Sequence, residues 1–207
     1  QLTIDSLKSK YSDKLEMKQE EDFIKSLKII GKQIKQIENL VNEFSDFARM
    51  PKPILKDNNL VSLLNENINL IKELDNKIKI NFDPEVSVII LNSDYEQLSR
   101  VFFNLIKNSI ESIQEKRLKN IDYKGNIHIT LIDNISDIKF VIADDGLGFG
   151  MMDTNINDVL NPYFTTKKQG TGLGLSIVNK IVNDHNGTIK FISIKNGAKI
   201  QITFIKS

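Results

Sequence analysis

Two amides, a pair of carboxylates and two clusters of glycine are the residues best placed to do chemistry in this chain. Asn104 and Asn108 lie four positions apart in an apolar-patterned stretch, so a helix sets both on one face. An amide oxygen is a hard, neutral ligand that suits Mg²⁺, an ion that keeps several waters and bridges phosphates. Taken alone, such a pair beside an apolar stripe is better explained as hydrogen-bonded structure. "VIADDGLGFG" ends a strand pattern in Asp144, Asp145 and a glycine turn. A carboxylate only accepts hydrogen bonds, and the exocyclic amine of adenine donates them, whereas guanine offers a carbonyl there. A buried Asp would therefore select adenine, although a plain turn uses the same dipeptide.

The glycines are unevenly spread. Of 10 in the chain, six fall between Gly146 and Gly174, at 146, 148, 150, 170, 172 and 174. "GTGLGLSIVNKIV" (170–182) opens an apolar pattern of helical spacing with three of them, a poor way to start a helix. Glycine does let backbone approach a ligand closely. A helix N-terminus presents free N–H donors and a positive dipole end, which suits a phosphate. The pattern predicts a nucleotide phosphate lodged against Gly170 to Leu175. Between the clusters, "NPYFTTKKQG" has little regular pattern and reads as a lid. Lys167 or Lys168 could reach a terminal phosphate as a point charge, although each read singly is a solvated surface residue.

These residues need elements to position them. From Phe23 the apolar positions Phe23, Leu27, Ile30, Ile34, Ile37, Val41, Phe44 and Ala48 step alternately by four and three, a heptad seam widened by Ile24, Leu40 and Phe47. Upstream, Ile4, Leu7, Tyr11 and Leu15 form a shorter stripe, and prolines 51 and 53 end the long helix. The first 50 or so residues therefore read as a helical hairpin with little core of its own. The regular register favours a homodimer through residues 1–50, half of a four-helix bundle, over packing on the rest of the chain. The remainder alternates: helix 58–74, strands "KIKINFD" and "SVIIL", helix 93–117 capped by Ser93 or Asp94, strands "GNIHITLID" and "DIKFVIAD", helix 173–185, and strands "TIKFISI" and "AKIQITFIK" around "KNG". The expected fold is α+β, a helical hairpin (1–52) followed by an α/β two-layer sandwich (53–207), with helices on one face of a mixed, largely antiparallel sheet.

Composition narrows the class. The formal net charge is +1, with no basic excess to suggest nucleic acid, and there is no Cys, which excludes disulfides and thiolate metal sites. No apolar run approaches the ~20 residues a membrane helix needs.

"NLIKNS", "DDGLGFG", "NPYFTTKK" and "GTGLGL", in that order, resemble the four ATP-site boxes of the sensor histidine kinases in the GHKL ATPase superfamily. "NEFSDFARMPKP" and "PYFTTKKQGTGLGLSIV" are similar to the NtrY-type nitrogen-regulation sensors. The resemblance implies a Bergerat-type sandwich that binds ATP and Mg²⁺. It makes Asn108 the Mg²⁺ ligand, with Asn104 supporting phosphate or metal waters, and sets Asp144 against the adenine amine. Gly146 and Gly148 would line the base and the lid hinge, and Phe164 would belong to the lid. Lys167 sits where a phosphate-binding Arg or Lys is expected, and Gly170, Thr171, Gly172, Leu173, Gly174 and Leu175 would wrap the phosphates. Asp145 replaces a frequent Asn, a change expected to be tolerated, and Glu111 stands where many relatives carry Lys. The resemblance further implies a phosphorelay to an NtrX-like response regulator, a cytoplasmic location for this part, and a parent protein anchored in a bacterial inner membrane.

The family's phosphoacceptor is a His on the first bundle helix, usually followed by an acidic residue. His128 alternates with Ile127 and Ile129 on a strand, and His185 ends a helix in "DHNG". Neither lies on the hairpin, so the acceptor is expected before Gln1 and the chain is expected not to phosphorylate itself. Two other readings compete. Gyrase- or chaperone-type ATPases carry a water-activating Glu four residues before the metal Asn, where this chain has Asn104. A non-catalytic dimeric ATP-binding module is disfavoured by the intact glycines and Asn108.

Overall fold

The structure, a computed structural model, describes residues 4–6, 17–73, 75–118, 120–149, 159–161, 164–165 and 171–206. They fall into two compact units, one holding Gln1–Met50 with Lys167–Thr171, the other Pro51–Thr166 with Gly172–Ser207.

The first unit is built on one long helix, α1 (Met17–Ala48). Residues 4–6 are also helical, and Ile4 Cδ1 lies 3.5 Å from where a Gly31 side chain would begin. The rest of the expected first helix lies outside the described residues. Leu27 is buried, but Ile30, Ile34, Ile37, Val41 and Phe44 of the seam are 48–59% exposed in the single chain.

The second unit is a sheet covered on one face by helices. It contains β1 (Lys56–Asn59), α2 (Leu60–Lys72), β2 (Lys79–Phe82), β3 (Ile90–Ser93), α3 (Tyr95–Arg117), β4 (Asn126–Asp133), β5 (Asp137–Asp144), α4 (Gly174–Asp184), β6 (Gly187–Ser193) and β7 (Ala198–Ile205). The main sheet has five strands in the order β2-β4-β5-β7-β6. Only β2 and β4 run parallel, and the other neighbours are antiparallel. Strand alternation sets the core. Ile127, Ile129 and Leu131 of β4, Ile138, Phe140 and Ile142 of β5, and Ile200, Ile202 and Phe204 of β7 are all buried on one face. Leu98, Val101, Phe102, Leu105, Ile106 and Ile110 of α3 bury against it, with Phe102 and Phe140 rings 4.8 Å apart. Removing one of these rings would cost about 3–5 kcal/mol. Among the described residues, no helix is long and apolar enough to cross a membrane.

Two expectations are corrected. The helix expected from residue 58 starts at Leu60, because residues 56–59 form β1, which pairs antiparallel with β3 in a separate two-stranded sheet. Asn59 makes the change of direction, its Oδ1 accepting from the Val61 N–H at 3.1 Å as a helix cap and from the Ile89 N–H at 3.1 Å. The strand expected at "SVIIL" starts only at Ile90, and Ile89 instead bonds the turn into α2, its carbonyl accepting from the Leu60 N–H at 2.9 Å.

Candidate functional site

The site grows from three places: the middle of α3, the turn after β5, and the start of α4. Asp94 caps α3, its Oδ1 accepting from the Gln97 N–H at 3.1 Å. The helix then carries Asn104, Asn108, Ser109 and Ser112 past the ends of the strands. Asn104 and Asn108 are both half-buried.

Asp144, the last residue of β5, is 8% exposed, so its position in the alternation points it into the core. A lone buried carboxylate is costly, and this one is met on several sides. Its Oδ2 accepts from Ser109 Oγ at 3.0 Å, and its Oδ1 accepts from the Gly146 N–H at 3.0 Å. Ala198 of β7 faces it as the ladder partner of Asp144. Burial pushes the carboxyl above its ordinary range; the Gly146 and Ser109 donors and the Ala198 backbone pull against that, and the neighbouring charge of Asp145 adds to the rise.

Gly146 and Gly148 occupy the turn that follows. A Cβ on Gly146 would overlap Ser112 Oγ, while the Leu147 N–H donates to that same oxygen at 3.0 Å. Gly148 has φ 74°, where a side chain is strained. Asp145 points the other way, its oxygens accepting from the N–H of Asn126 at 2.9 Å and its side-chain amide at 3.1 Å. The Asp145 carbonyl accepts from Lys116 Nζ and from Tyr123 Oη, with the ammonium also 4.3 Å from the Tyr123 ring centroid. Asp145 thus ties the turn to the start of β4. Glu111 forms a 3.9 Å ion pair with Lys107 one turn earlier.

At the third place, Gly172 has φ 72° and Leu173 is fully buried. Leu173 begins α4 without a side-chain cap. The Leu173 carbonyl accepts from the Ile177 N–H at 2.9 Å and Ser176 Oγ at 2.8 Å. The first-turn N–H groups of Gly174, Leu175 and Ser176 have no acceptor within the helix. Asn104 Oδ1 lies 3.9 Å from the position a Gly174 Cβ would take, which brings the amide face of α3 alongside the glycine-opened end of α4.

The structure therefore brings Asp144 and Gly146 together with α3, Gly148 against Gly197, and Asn104 together with Gly174. Phe164 is half-buried, its N–H donating to the Asn161 carbonyl at 3.1 Å. Thr171 groups with the helical unit, where its hydroxyl donates to Glu43. Lys167, Lys168 and Gly170 lie outside the described residues. Sequence reasoning passed over Ser109, Ser112 and Gly197. The signal for Ser109 was a hydroxyl on the apolar face of α3, which must find an acceptor.

Among the described residues, no group of three or more His, Cys, Asp or Glu could hold a metal by itself. An octahedral Mg²⁺ held by one amide oxygen, waters and ligand phosphates needs no such group. Asn108, one turn along α3 from Asn104, is a donor of the right kind.

The chain matches the model of the histidine kinase-, DNA gyrase B- and HSP90-like ATPases over residues 93–206. A putative NtrY-like sensor histidine kinase of Rickettsia felis is 33% identical over 190 residues, covering 91% of this chain and 30% of that protein. The nitrogen regulation protein NtrY of Azorhizobium caulinodans is 31% identical over 198 residues, covering 95% of this chain and 25% of that protein. The chain thus spans about a third or less of these relatives. Among solved structures, the nucleotide-free catalytic domain of histidine kinase ThkA superposes with TM-score 0.63 at 28% identity, over 73% of this chain and 95% of that one. ThkA in complex with its response regulator TrrA reaches TM-score 0.71 at 24% identity, over 88% of this chain and 51% of that one. The chain belongs to the histidine kinase-, DNA gyrase B- and HSP90-like ATPase family, beside the NtrY-like sensor histidine kinases.

Proposed function

We propose that this chain is the ATP-binding core of a two-component sensor histidine kinase, and that it binds Mg-ATP in preference to Mg-GTP. The observation that carries the reading is Asp144, a buried carboxylate at a strand end, held by Ser109 and the Gly146 N–H. An ionised carboxylate offers about four acceptor positions. Two donors reach this one at 3.0 Å, which leaves acceptor positions for a further N–H, as adenine's amine supplies.

The remaining roles are those the sequence resemblance implies. The uncapped start of α4 suits the phosphates, with Gly170 to Leu175 wrapping them and Lys167 adding a point charge. Asn108 would hold Mg²⁺, which neutralises phosphate charge when bound, and Asn104 would orient phosphate or metal-bound water. Gly148 would be the hinge of a lid that includes Phe164. Asn104, an amide, cannot abstract a proton from water, so the site suits phosphoryl transfer better than hydrolysis. The transfer needs an imidazole held in line with the phosphate. His128 is exposed on β4 and His185 is locked at the end of α4, so the acceptor belongs to a segment outside these residues. The exposed seam of α1 supports a homodimer. From that His the phosphoryl group would pass to an Asp of an NtrX-like response regulator. The segment would be cytoplasmic and its parent anchored in a bacterial inner membrane.

Titration calorimetry with Mg-ATP and Mg-GTP tests the reading. Wild type should favour ATP, and Asp144→Asn should weaken ATP binding by about tenfold or more, the value of one hydrogen bond to a charged acceptor. Equal affinity of the wild type for the two nucleotides would refute it.

A further inference from the structure

The turn from Asp144 to Phe149 is backed by a single hairpin, β6–β7, which lies outside every glycine-box segment. Four contacts join them. Ala198, the first residue of β7, is the ladder partner of Asp144. Gly197 has φ 111°, and a Cβ there would overlap the Asp144 main-chain carbonyl. A Cβ on Gly148 would in turn overlap the Gly197 carbonyl. Finally, the Phe149 ring meets Phe191 of β6 edge-on, centroids 5.6 Å apart at 85°.

We propose that the tip of the β6–β7 hairpin is a positioning element that sets nucleotide-base specificity, with Gly197 as its critical residue. The inference rests on the reading of Asp144 as the acceptor for the adenine amine. Gly197 lets two backbones touch where any side chain would wedge them apart. A residue with a Cβ there must move the start of β7 outward, and Ala198 moves with it. The end of β5 is then parted from its ladder partner, and the carboxylate it carries gains freedom to move. Recognition geometry of this kind tolerates roughly half an ångström of error. The same displacement disturbs Gly148, which already sits at positive φ against the Gly197 carbonyl. The start of α4 is not part of this contact set, so the loss falls on reading of the base rather than on the phosphates.

The test compares wild type, Gly197→Ala, Phe191→Leu and Lys195→Ala by calorimetry with Mg-ATP and Mg-GTP, with circular dichroism to verify folding. Lys195 is exposed in the same hairpin loop and serves as control. Gly197→Ala should narrow the ATP-over-GTP preference by about tenfold, and Phe191→Leu by at least about threefold, while Lys195→Ala leaves it unchanged. A folded Gly197→Ala protein that narrows the preference by less than about threefold overturns the proposal. If Gly197→Ala does not fold, Phe191→Leu decides by the same threshold. Lys195→Ala narrowing the preference as much as the other two also overturns it. Asp144→Asn measured in parallel separates the two layers. A wild type without base preference defeats the reading of Asp144. A preference lost in Asp144→Asn but kept in the hairpin variants defeats the hairpin proposal alone.

Discussion

The main-chain N–H of Asp94 donates to Nε2 of His185 at 2.9 Å, and Nδ1 of the same ring lies 2.8 Å from the Ile181 carbonyl. Because the first partner is a donor and the second an acceptor, Nε2 accepts and Nδ1 carries the hydrogen that meets the Ile181 carbonyl. The end of α4 is thereby pinned to the beginning of α3. Asp94 meanwhile holds the segment leading out of the helical unit, its Oδ2 accepting from the Ile54 N–H at 2.8 Å. His185→Leu keeps the volume and removes both bonds. It should cost about 1–3 kcal/mol and lower the melting temperature by several degrees. An unchanged melting curve would show that the clamp contributes nothing.

The same two bonds bear on phosphorylation. A ring whose nitrogens are both engaged, in a residue only 6% exposed, cannot attack a phosphoryl group without leaving its place. Incubation of the chain with γ-labelled ATP should leave both His185 and His128 unlabelled. Acid-labile label mapped to either one would refute this.

Asp75 and Arg117 form a nearly buried pair, Oδ2 to NH1 at 2.6 Å. Desolvation pushes the Asp75 carboxyl up, but hydrogen bonds from Arg117, Gln114 and the Lys77 N–H together outweigh it, and the group ends below its ordinary value of 3.8. A depressed carboxyl stabilises the fold above its unfolded pKa, and that contribution is lost as pH falls through the folded value. Unfolding free energy should therefore decline below about pH 4, and Asp75→Asn should flatten that part of the profile. Arg117→Met leaves the carboxylate without its cation and should cost up to about 3 kcal/mol at neutral pH. A profile for Asp75→Asn that parallels the wild type would remove Asp75 from the account.

Asn108→Ala should abolish the dependence of ATP binding on Mg²⁺ while leaving the fold intact, since Asn108 is half-buried and outside the apolar core. Calorimetry with and without EDTA measures this directly. Mg²⁺ dependence equal to that of the wild type would move the metal to another ligand.

Ile34→Asp puts a charge in the middle of the exposed seam of α1, where Ile34 is 50% exposed in the single chain. If that seam is an interface, the charge is buried without a partner in the assembly. Light scattering should report a monomer for the variant and a dimer for the wild type, with the thermal transition of the ATP-binding unit retained. A monomeric wild type at high concentration would rule the interface out.

Much of this arrangement was legible in the residues, for identifiable reasons. Strict alternation in "NIHITLID" and "DIKFVIAD" fixed β4 and β5 to within a residue, because each strand has one face on the core. The N-cap of α3 was narrowed to Ser93 or Asp94, and Asp94 takes it through its bond to the Gln97 N–H. The β1–β3 pair was not legible. "KDNN" carries no apolar alternation, and its strand is made by pairing with residues far along the chain. Asp145 shows another limit, since adjacent carboxylates look alike in sequence and separate only when β5 ends, one turned inward and one toward Asn126. Ser109 and Gly197 were missed because their partners are distant in sequence and nothing local announces them.

The single parallel seam of the sheet has a consequence for how the unit assembles and comes apart. The hairpins β4–β5 and β6–β7 join strands that are neighbours along the chain, so each can close early with little loss of chain entropy. β2 cannot. It reaches β4 only after β3 and the whole of α3 have been laid over the sheet, and it then contributes just four residues at an outer edge. Non-local pairing of that kind forms late. Short strands at a margin are also the places where amide protons exchange first. The β5–β7 pairing is non-local too, but it runs the length of two central strands, so β5 should be the last strand to open and the short edge strand β2 the first.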